Sequence, residues 1–370
     1  MELERIRDRL DALSWQMLLI LSERLMLVRE VAEQKRKKGD GVIHAPSREA
    51  AIFDRTVDHC RVLGLDPDYV LEIVSLMIAH AKDAECDVLG VDTFLDTRPK
   101  SHDELRANLL AFTEAIAQDH AIDYCEGTGA DAVQSYLRRE KLLLEETVRG
   151  LGQRGFALDL GRATGTTTDI LEPHFSRVGV FDICPFMIEG AKAKKAWSRS
   201  VHFDVADVSS GIPAEDGEVS FAVANFGAAS ELSSNLLPEL ARTLVSGGKA
   251  CLSFYNTDAI SNLWYYPWPS TLRSHLNVFN NTLEAWYKGK VYVIQGIGMT
   301  ANLLRAECER NGLTIEWMET YPTVLSILPR FFFGSARFQK LVQAVNEIDD
   351  ALAKSEQHRG TYLIALIRKE

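Results

Sequence analysis

The first 38 residues carry the repeating pattern of an amphipathic helix. Apolar side chains recur three or four positions apart, at Leu3, Ile6, Leu10, Leu13, Met17, Ile20, Leu27 and Val31. This period predicts one long helix that packs against other helices. A second helix is predicted to begin near Ser47, a suitable N-cap, and to end at Gly64.

A third helix is predicted to start at Asp66-Pro67, because aspartate caps a helix and proline fits its first position. Its inward face is predicted to consist of Tyr69, Val70, Ile73, Val74, Met77, Ile78 and Ala81. Two charged residues fall on these stripes, Arg24 in the first helix and Glu85 in the third. A charge on a buried stripe is costly unless it is paired or used, so the two form an ion pair or belong to a functional site.

The cations of the first helix differ in the direction that they face. Lys35 follows Arg24 by eleven residues, close to three turns, so both share a face roughly 16 Å apart along the axis. Arg7 precedes Arg24 by seventeen residues and faces away. A single chain could not aim Arg7 and Arg24 at one small ligand, but a partner helix could supply the second arginine.

From about residue 126 the pattern changes to short β-rich segments that alternate with helical ones. These segments are FALDL, SRVGVFDI, SVHFDV, VSFAVANF and KACLSFYN, and the closing GTYLIALIRK is predicted to be an edge or hairpin strand. Such alternation predicts a mostly parallel sheet with helices on both faces. Residues 91–125 contain a proline break and one amphipathic helix, which we interpret as a connector between domains at 1–90 and 126–370.

Composition is that of an ordinary globular protein, with 46% hydrophobic and 25% charged residues. The net charge of −11 argues against nucleic acid or an anionic membrane as a partner. No signal segment or membrane-spanning run is evident, so a cytoplasmic location is predicted. The six cysteines have no metal-binding spacing, and no metal is expected.

Four consecutive cations, at residues 35–38, stand out against this acidic background. They could form a nucleic-acid patch, a solvated helix end or a pocket for a small anion. The net charge favours a small anion, because a polymer needs an extended positive field. The pair Arg48-Glu49 follows after a Gly-containing turn and adds another cation nearby in sequence.

The segments LERIRDRLDALSWQMLLILSERLMLVREVAEQK, PSREAAIF and GLDPDYVLEIVSLMI, in this order, resemble the all-helical chorismate mutases over about residues 3–88. The resemblance implies a homodimer of interlaced helices in which each site rearranges chorismate to prephenate and takes one arginine from the neighbouring chain. It implies site residues Arg7, given across the dimer, with Arg24, Lys35, Arg48 and Glu85, and with Glu49, which holds the substrate hydroxyl. The sequence departs from the family at Ala45 and Ala81, where polar side chains are usual.

A second informative stretch is FALDLGRATGTTTDIL, at residues 156–171. A strand ending near Asp159 leads into a Gly-containing turn, and a helix is predicted from Thr166. Amides at such a helix start can accept the polar atoms of a cofactor. A dinucleotide-binding GxGxxG would need glycine where Thr166 stands, and the pattern here is Gly161-x-Ala163-x-Gly165.

This stretch and the strand ends that follow resemble class I S-adenosylmethionine (SAM)-dependent methyltransferases over residues 135–256. The resemblance implies that Asp159, Gly161 and Gly165 hold the methionine part of SAM. It further implies that Asp182 binds the ribose, that Asp207 meets the adenine, and that Asn225 lies beside the sulfonium. The sequence departs from the family at Ala163, in place of a glycine, and at Phe221, in place of an acid.

A cluster of aromatic and cationic residues suits a planar or anionic methyl acceptor, although a hydrophobic lid would look the same. It comprises Trp264, Tyr265, Tyr266, Trp268, Arg273 and His275, with Trp286, Tyr287, Arg330 and Arg337 further on. The sequence therefore predicts an all-α three-helix chorismate-mutase-like domain joined to an α/β Rossmann-like methyltransferase domain. The predicted function is bifunctional, with a chorismate-derived or similar small organic acid as acceptor.

Two alternatives stay open. The C-terminal domain could be a carboxy-SAM synthase, which consumes prephenate and SAM. The helical domain could instead be a non-catalytic dimerisation or sensing module, as the departures at Ala45 and Ala81 suggest.

Overall fold

The computed structural model describes residues 2–43, 45–91, 100–118, 132–152, 154–161, 165–232, 235–263, 273–278, 280–287, 290–328, 331–334 and 336–370. The described residues divide into an N-terminal unit that ends by residue 91 and a C-terminal unit that begins at residue 100. None of the helices in these ranges combines the length and the apolar composition needed to cross a membrane.

The N-terminal unit consists of three helices, as predicted. These are α1 (Glu2–Lys38), α2 (Pro46–Leu63) and α3 (Pro67–Leu89). Gly64 ends α2 with a left-handed φ of 67°, and the Asp66 carboxylate caps α3 by accepting from the Asp68 amide at 3.0 Å. The predicted cap at Ser47 is wrong, because α2 begins one residue earlier and its N-cap is Ala45, which has no capping side chain.

α3 is the central helix of this unit, since both α1 and α2 pack against it. Its buried side chains are Leu71, Ser75, Ile78, Ala81, Lys82 and Ala84. The predicted inward face is therefore correct at Ile78 and Ala81 but rotated elsewhere, and Tyr69 is exposed. The rotation arises because the buried face includes polar residues, which a search for apolar spacing passes over.

α1 is helical as predicted but buries very little of itself within one chain. Of its residues, only Ala32 is buried, and the whole apolar stripe from Leu3 to Val31 is exposed. An exposed apolar stripe of this length marks a surface for another protein element. The N-terminal unit of a single chain therefore presents an unpartnered helix face.

The C-terminal unit is built on ten strands. They are β1 (Phe156–Leu160), β2 (Arg177–Asp182), β3 (Val201–Val205), β4 (Val219–Ala224), β5 (Leu244–Tyr255), β6 (Arg273–Asn277), β7 (Thr282–Tyr287), β8 (Lys290–Gln295), β9 (Leu313–Tyr321) and β10 (Tyr362–Lys369). Seven form one sheet in the order β3-β2-β1-β4-β5-β10-β9, and β6, β7 and β8 form a small antiparallel sheet. In the large sheet the first five strands are parallel, whereas β10 is antiparallel to both neighbours.

The prediction that the closing segment forms an edge strand is wrong, because β10 lies inside the sheet between β5 and β9. Residues 363–367 are buried without interruption. A continuous apolar run of this kind belongs to a strand that is covered on both faces. The same segment, LIALI, shows no alternation, which is the sequence signal for an interior position.

Nine helices accompany the strands within the described part of this unit. They are α4 (His102–Gln118), α5 (Ala132–Arg149), α6 (Thr166–Leu171), α7 (Pro185–Lys194), α8 (Ala228–Glu231), α9 (Leu236–Thr243), α10 (Ala301–Arg310), α11 (Phe331–Gly334) and α12 (Gln339–Ala353). Alternate residues of each central strand enter separate hydrophobic clusters on the two faces of the sheet, as Leu158 and Ala157 do. The predicted Rossmann-like α/β fold is confirmed.

α4 lies in the segment that the sequence suggested was a connector. The helix packs on β8, where the Asn108 amide donates to the Val293 carbonyl at 2.9 Å and the ring of Phe112 contacts that of Tyr292. α4 therefore belongs to the C-terminal unit, and the boundary between the two units falls between residues 91 and 100 of the chain. Its amphipathic pattern is explained by this packing.

Gly360 allows β10 to start close against β9, and an added methyl group should disrupt this contact. A Cβ at this position would lie 2.4 Å from the Tyr321 nitrogen and 2.5 Å from the Thr320 carbonyl carbon, both backbone atoms. We expect Gly360→Ala to lower the free energy of unfolding by about 3 kcal/mol, as overpacking against an immobile backbone does. Denaturant unfolding of the full chain measures the change.

The matched control is Gly152→Ala, where no atom lies within 4 Å of the added methyl group. This variant should unfold within about 1 kcal/mol of the wild type. Equal stability of the Gly360 and Gly152 variants would show that β9 and β10 do not meet as described.

Candidate active sites

The first candidate site lies between α1 and α3, which run in the same direction. The Arg24 guanidinium donates to the Met77 carbonyl at 2.9 Å, and further along both helices the Lys35 ammonium pairs with the Glu85 carboxylate at 2.5 Å. Burial lowers the pKa of Arg24 from its ordinary value. The sequence left open an Arg24–Glu85 ion pair, but Glu85 is instead paired with Lys35.

The four consecutive cations at the end of α1 differ in burial. Lys35 is half-buried and turned toward α3, with its side chain 22% exposed. The other three are exposed, and Arg36 forms a surface pair with Glu33 on its own helix. Only Lys35 of this run is therefore placed to meet a ligand held between α1 and α3.

A second ion pair lies where the first turn of α2 meets α3. The Lys82 ammonium donates to the Glu49 carboxylate at 2.8 Å, and the side chains are only 4% and 6% exposed. The other oxygen of Glu49 accepts from the Ala45 amide at 3.3 Å. Sequence analysis missed Lys82, although it follows Ser75 by seven residues and Ile78 by four and so continues their stripe.

The remaining two predicted residues of this site are exposed. Arg48 lies beside Glu49 in the first turn of α2. Arg7 is near the start of α1, about 26 Å along the axis from Arg24 at 1.5 Å per residue. One chain therefore places Lys35 with Glu85 and Arg24 on the same pair of helices, but it does not bring Arg7 to them.

The second candidate site lies at the carboxyl end of the parallel strands. The Asp159 carboxylate, near the end of β1, accepts from the Thr168 hydroxyl at 2.7 Å, and Asp182, at the end of β2, accepts from the Cys184 amide at 2.8 Å. Gly161 and Gly165 have left-handed φ values of 76° and 79°. Ala163 lies outside the described residues.

Burial dominates the electrostatics of Asp159. Its pKa is raised to about 7, mainly by the loss of solvent and also by the nearby charge of Asp182, while the hydrogen bond from Thr168 opposes both. A buried carboxyl group in this state is stabilised as an anion when a cation binds beside it. Asp159 is therefore suited to an ammonium group, such as the one on the methionine part of SAM.

Asp207 is held from two sides. One carboxylate oxygen accepts from the Ser209 amide at 3.0 Å, and the other pairs with the Arg106 guanidinium of α4 at 3.1 Å. The pocket at the strand ends is lined by Gly161, Asp182 and Asp207, among others. From α4 it is also lined by His102, Leu105, Arg106, Leu109 and Thr113. Sequence analysis missed the α4 residues because it treated their helix as a connector.

Asn225 follows β4 and is buried, with an exposure of 4%. Its amide lies beside the Cys251 thiol, yet neither polar atom makes a hydrogen bond of ordinary geometry to the residues that the structure describes. The next residue, Phe226, holds the turn that carries Asn225, because its amide donates to the Glu140 carboxylate at 2.8 Å. The φ of Phe226 is 58°, a left-handed value that residues other than glycine rarely adopt.

These features fit SAM. Among the described residues the buried amide of Asn225 lacks a partner, at the sheet edge where a polar ligand would supply one. The space beside Gly161 is already restricted, since an added Cβ would lie 3.3 Å from the Ala228 Cβ. Glycine suits this position, because it adopts the left-handed φ of 76° without strain and leaves the backbone open to a ligand.

Of the residues predicted to bind the methyl acceptor, the structure describes the side chains of Tyr287 and Arg337. Trp264, Tyr265, Tyr266, Trp268 and Arg330 are outside the described residues, as are the side chains of Arg273, His275 and Trp286. Tyr287 is buried in the cluster shared by the small sheet and α4, and Arg337 is exposed. Among the residues that the structure covers, no group of three or more His, Cys, Asp or Glu side chains could hold a metal ion.

Comparison with known proteins identifies the N-terminal unit. Residues 6–85 match the family model for chorismate mutase type II. The chorismate mutase of Methanocaldococcus jannaschii is 32% identical over 81 residues, which are 22% of this chain and 81% of that protein. The chain belongs to the chorismate mutase family, and the sequence-based prediction is confirmed.

The C-terminal unit belongs to a different class. Residues 157–248 match the family model for a methyltransferase domain, so the chain carries a methyltransferase domain with SAM as its cofactor, as predicted. A Burkholderia thailandensis 1,6-didemethyltoxoflavin-N1-methyltransferase is 15% identical, covering 74% of this chain and 93% of its own, with a TM-score of 0.44. A SAM-dependent methyltransferase from Mesorhizobium loti is 16% identical, covering 60% and 96%, with a TM-score of 0.39. Both are too distant to indicate a substrate.

The raised pKa of Asp159 predicts how the stability of the C-terminal unit depends on pH. Its pKa is about 7 in the native state and about 4 in an unfolded chain, so the native state holds the proton more tightly. The contribution of Asp159 to the free energy of unfolding should therefore fall as pH rises from 4 to 7 and stay low above 7. Asp159→Asn should be more stable than the wild type by about 2 kcal/mol at pH 8, with the gap narrowing toward pH 5.

Thermal unfolding at both pH values measures this gap. Asp204→Asn, at an exposed position of β3, is the matched control and should show no such pH-dependent difference. A gap of equal size at pH 5 and pH 8 would contradict the assignment to Asp159.

Proposed function

We propose that this protein is a bifunctional enzyme. Its helical domain rearranges chorismate to prephenate, and its second domain transfers a methyl group from SAM to a chorismate-derived or similar small organic acid. The observation that carries the first activity is the half-buried Lys35–Glu85 pair beside Arg24 on facing helices. The cytoplasmic location stays a prediction.

The rearrangement is pericyclic, so the site needs no nucleophile. Its work is to hold the dianion in a chair-like conformation and to meet the negative charge that develops on the ether oxygen. Arg24 and Arg48 would bind the carboxylates, and Lys35 would donate to the ether oxygen. Glu85 accepts from Lys35 and, as a carboxylate, cannot itself donate to that oxygen. Its role is to orient the ammonium group.

A second copy of the chain would complete the site. Arg7 lies about 26 Å from Arg24 along one helix, so a single chain cannot supply both. The exposed apolar stripe of α1 gives a surface on which a second copy could pack. The proposed active form is therefore a homodimer through the helical domain, in which each site takes Arg7 from the partner.

In the second domain, Asp159, Gly161 and Gly165 would hold the methionine part of SAM, and Asp182 the ribose. Bound SAM supplies an electrophilic methyl group for an in-line displacement. Asp207 would lie at the adenine with Arg106 as its partner, and Asn225 would orient polar atoms near the reacting centre. Positioning and exclusion of water account for the catalysis, so no general base is assigned.

Two other functions are tested by the same experiment. A carboxy-SAM synthase would use prephenate, the product of the first domain, and the Asn225-Phe226 pair weakly favours it. A non-catalytic helical domain is favoured by Ala45 and Ala81, where the family has polar residues. The paired Lys35 and Glu85 beside Arg24 support an active mutase instead.

Liquid chromatography, which separates chorismate from its isomer prephenate, followed by mass spectrometry of the protein incubated with chorismate and SAM distinguishes these functions. We expect prephenate and a methylated organic acid that forms only when SAM is present. Asp182→Ala should lose the SAM-derived product and still form prephenate, because the two sites lie in separate units. Carboxy-SAM in place of a methylated acid would support the synthase, and SAM consumption without prephenate would contradict the mutase.

Subunit mixing tests the shared site. Arg24→Ala and Arg7→Ala should each lower mutase activity about 100-fold or more, as the loss of a charged donor to a transition state does. In a hybrid dimer one site regains both arginines, so an exchanged equimolar mixture should recover about a quarter of the wild-type activity. Each variant exchanged with itself is the control. Proven exchange without recovery would contradict the shared site.

A further inference from the structure

Within the part of the chain that the structure describes, Lys82 is the only charged residue of α3 whose side chain is fully buried. It is only 3% exposed and lies three residues before Glu85, on a neighbouring part of the helix surface. Its ammonium group donates to Glu49 at 2.8 Å. The family resemblance gives Lys82 no role in the site. It concerns the adjacent position, Ala81.

A buried lysine needs a reason, because removing an ammonium group from water is costly. One reason is structural, since the pair joins the start of α2 to α3. That reason does not explain why the joined carboxylate is Glu49, a residue predicted to face the substrate. An apolar pair would join the two helices without the desolvation cost.

The charge of the site supplies a second reason. Without Lys82, the proposed site holds the cations Arg24, Lys35, Arg48 and the partner's Arg7 against the carboxylates Glu49 and Glu85. Their net charge of plus two equals the charge of the dianion, but Glu49 would then face that dianion uncompensated. Lys82 cancels the charge of Glu49 and raises the net charge of this set to three.

The hydrogen bonds of Glu49 leave it able to serve the substrate as well. One oxygen accepts from Lys82 and the other from the Ala45 amide at 3.3 Å. Each carboxylate oxygen has two lone pairs, so either can also accept from a substrate hydroxyl. Lys82 and Ala45 together would hold the carboxylate in one orientation for that contact.

We propose that Lys82 is a positioning residue of the mutase site, which orients Glu49 for the substrate hydroxyl and cancels the charge of Glu49 where it faces the dianion. This role rests on the proposed mutase function of the helical domain. Lys82 does not touch the substrate in this proposal. Its proposed effect on the substrate is exerted through Glu49.

The test compares three full-length proteins by steady-state kinetics with chorismate. They are the wild type, Lys82→Met, and the double variant Lys82→Met/Glu49→Gln. Lys82→Met keeps the length and the buried volume but leaves a carboxylate uncompensated beside the dianion. We expect its KM to rise about tenfold, with a smaller change in kcat, as repulsion between like charges predicts.

The double variant separates positioning from structure. The amide introduced by Glu49→Gln keeps an acceptor oxygen and has no charge, so the site regains its net charge. Its KM should therefore fall to about a third or less of the Lys82→Met value, while loss of the oriented Glu49 carboxylate keeps it above that of the wild type. A purely structural link between the helices would be lost in both variants alike. An unchanged KM in Lys82→Met, or a KM in the double variant that stays as high as in the single variant, would overturn the proposal.

A binding measurement makes the test independent of turnover. It also covers the case in which Lys82→Met does not fold. Calorimetric titration with prephenate, which the proposed mutase forms and does not consume, should show the same order of affinities, weakest for Lys82→Met. If Lys82→Met does not fold, the double variant, which buries no charge at this place, should fold and bind within about tenfold of the wild type. A folded double variant that binds more weakly than that would overturn the proposal. A wild type that binds but does not convert chorismate would instead contradict the mutase activity.

Discussion

The N-terminal unit depends on charge that is buried and paired on α3. Two ion pairs join this helix to its neighbours, Lys35–Glu85 to α1 and Lys82–Glu49 to α2. Breaking such a pair leaves an uncompensated charge away from water, which destabilises far more than forming the pair stabilises. The pairs therefore specify how the three helices align, and this alignment brings the cations for a dianion together.

The C-terminal unit uses a different constraint, the geometry of a parallel sheet. The chain reverses its strand order between β1 and β4, and the carboxyl ends of these neighbours open a crevice there. Asp159 and Asn225 lie near these two strand ends, and Asp182 lies at the end of the adjoining β2. All three side chains are buried, so the fold bears the desolvation cost of holding polar groups in the positions that a ligand requires.

The two proposed activities are linked through their substrates. Prephenate is the product of the first proposed activity. Prephenate or another acid derived from chorismate is also a candidate methyl acceptor for the second. Each proposed site relies on positioning and electrostatics and not on a nucleophile, so the chemistry places no demand for a catalytic triad on either domain. In the proposed mutase site, Arg24 and Lys35 would meet the charge of the substrate locally, in a chain whose net charge is −11.

The sequence by itself determined the three helices, the strand series and the two families, because apolar periods, helix caps and the ordered acids after each strand are local signals. It left open whether Glu85 pairs with Arg24 or belongs to a functional site, and it did not identify Lys35 as the partner of Glu85. Only the tertiary structure decided that choice, the interior position of β10 and the place of α4 beside Asp207. It also revealed Lys82, since a buried lysine and an exposed one have the same sequence pattern, and only packing against a second helix distinguishes them.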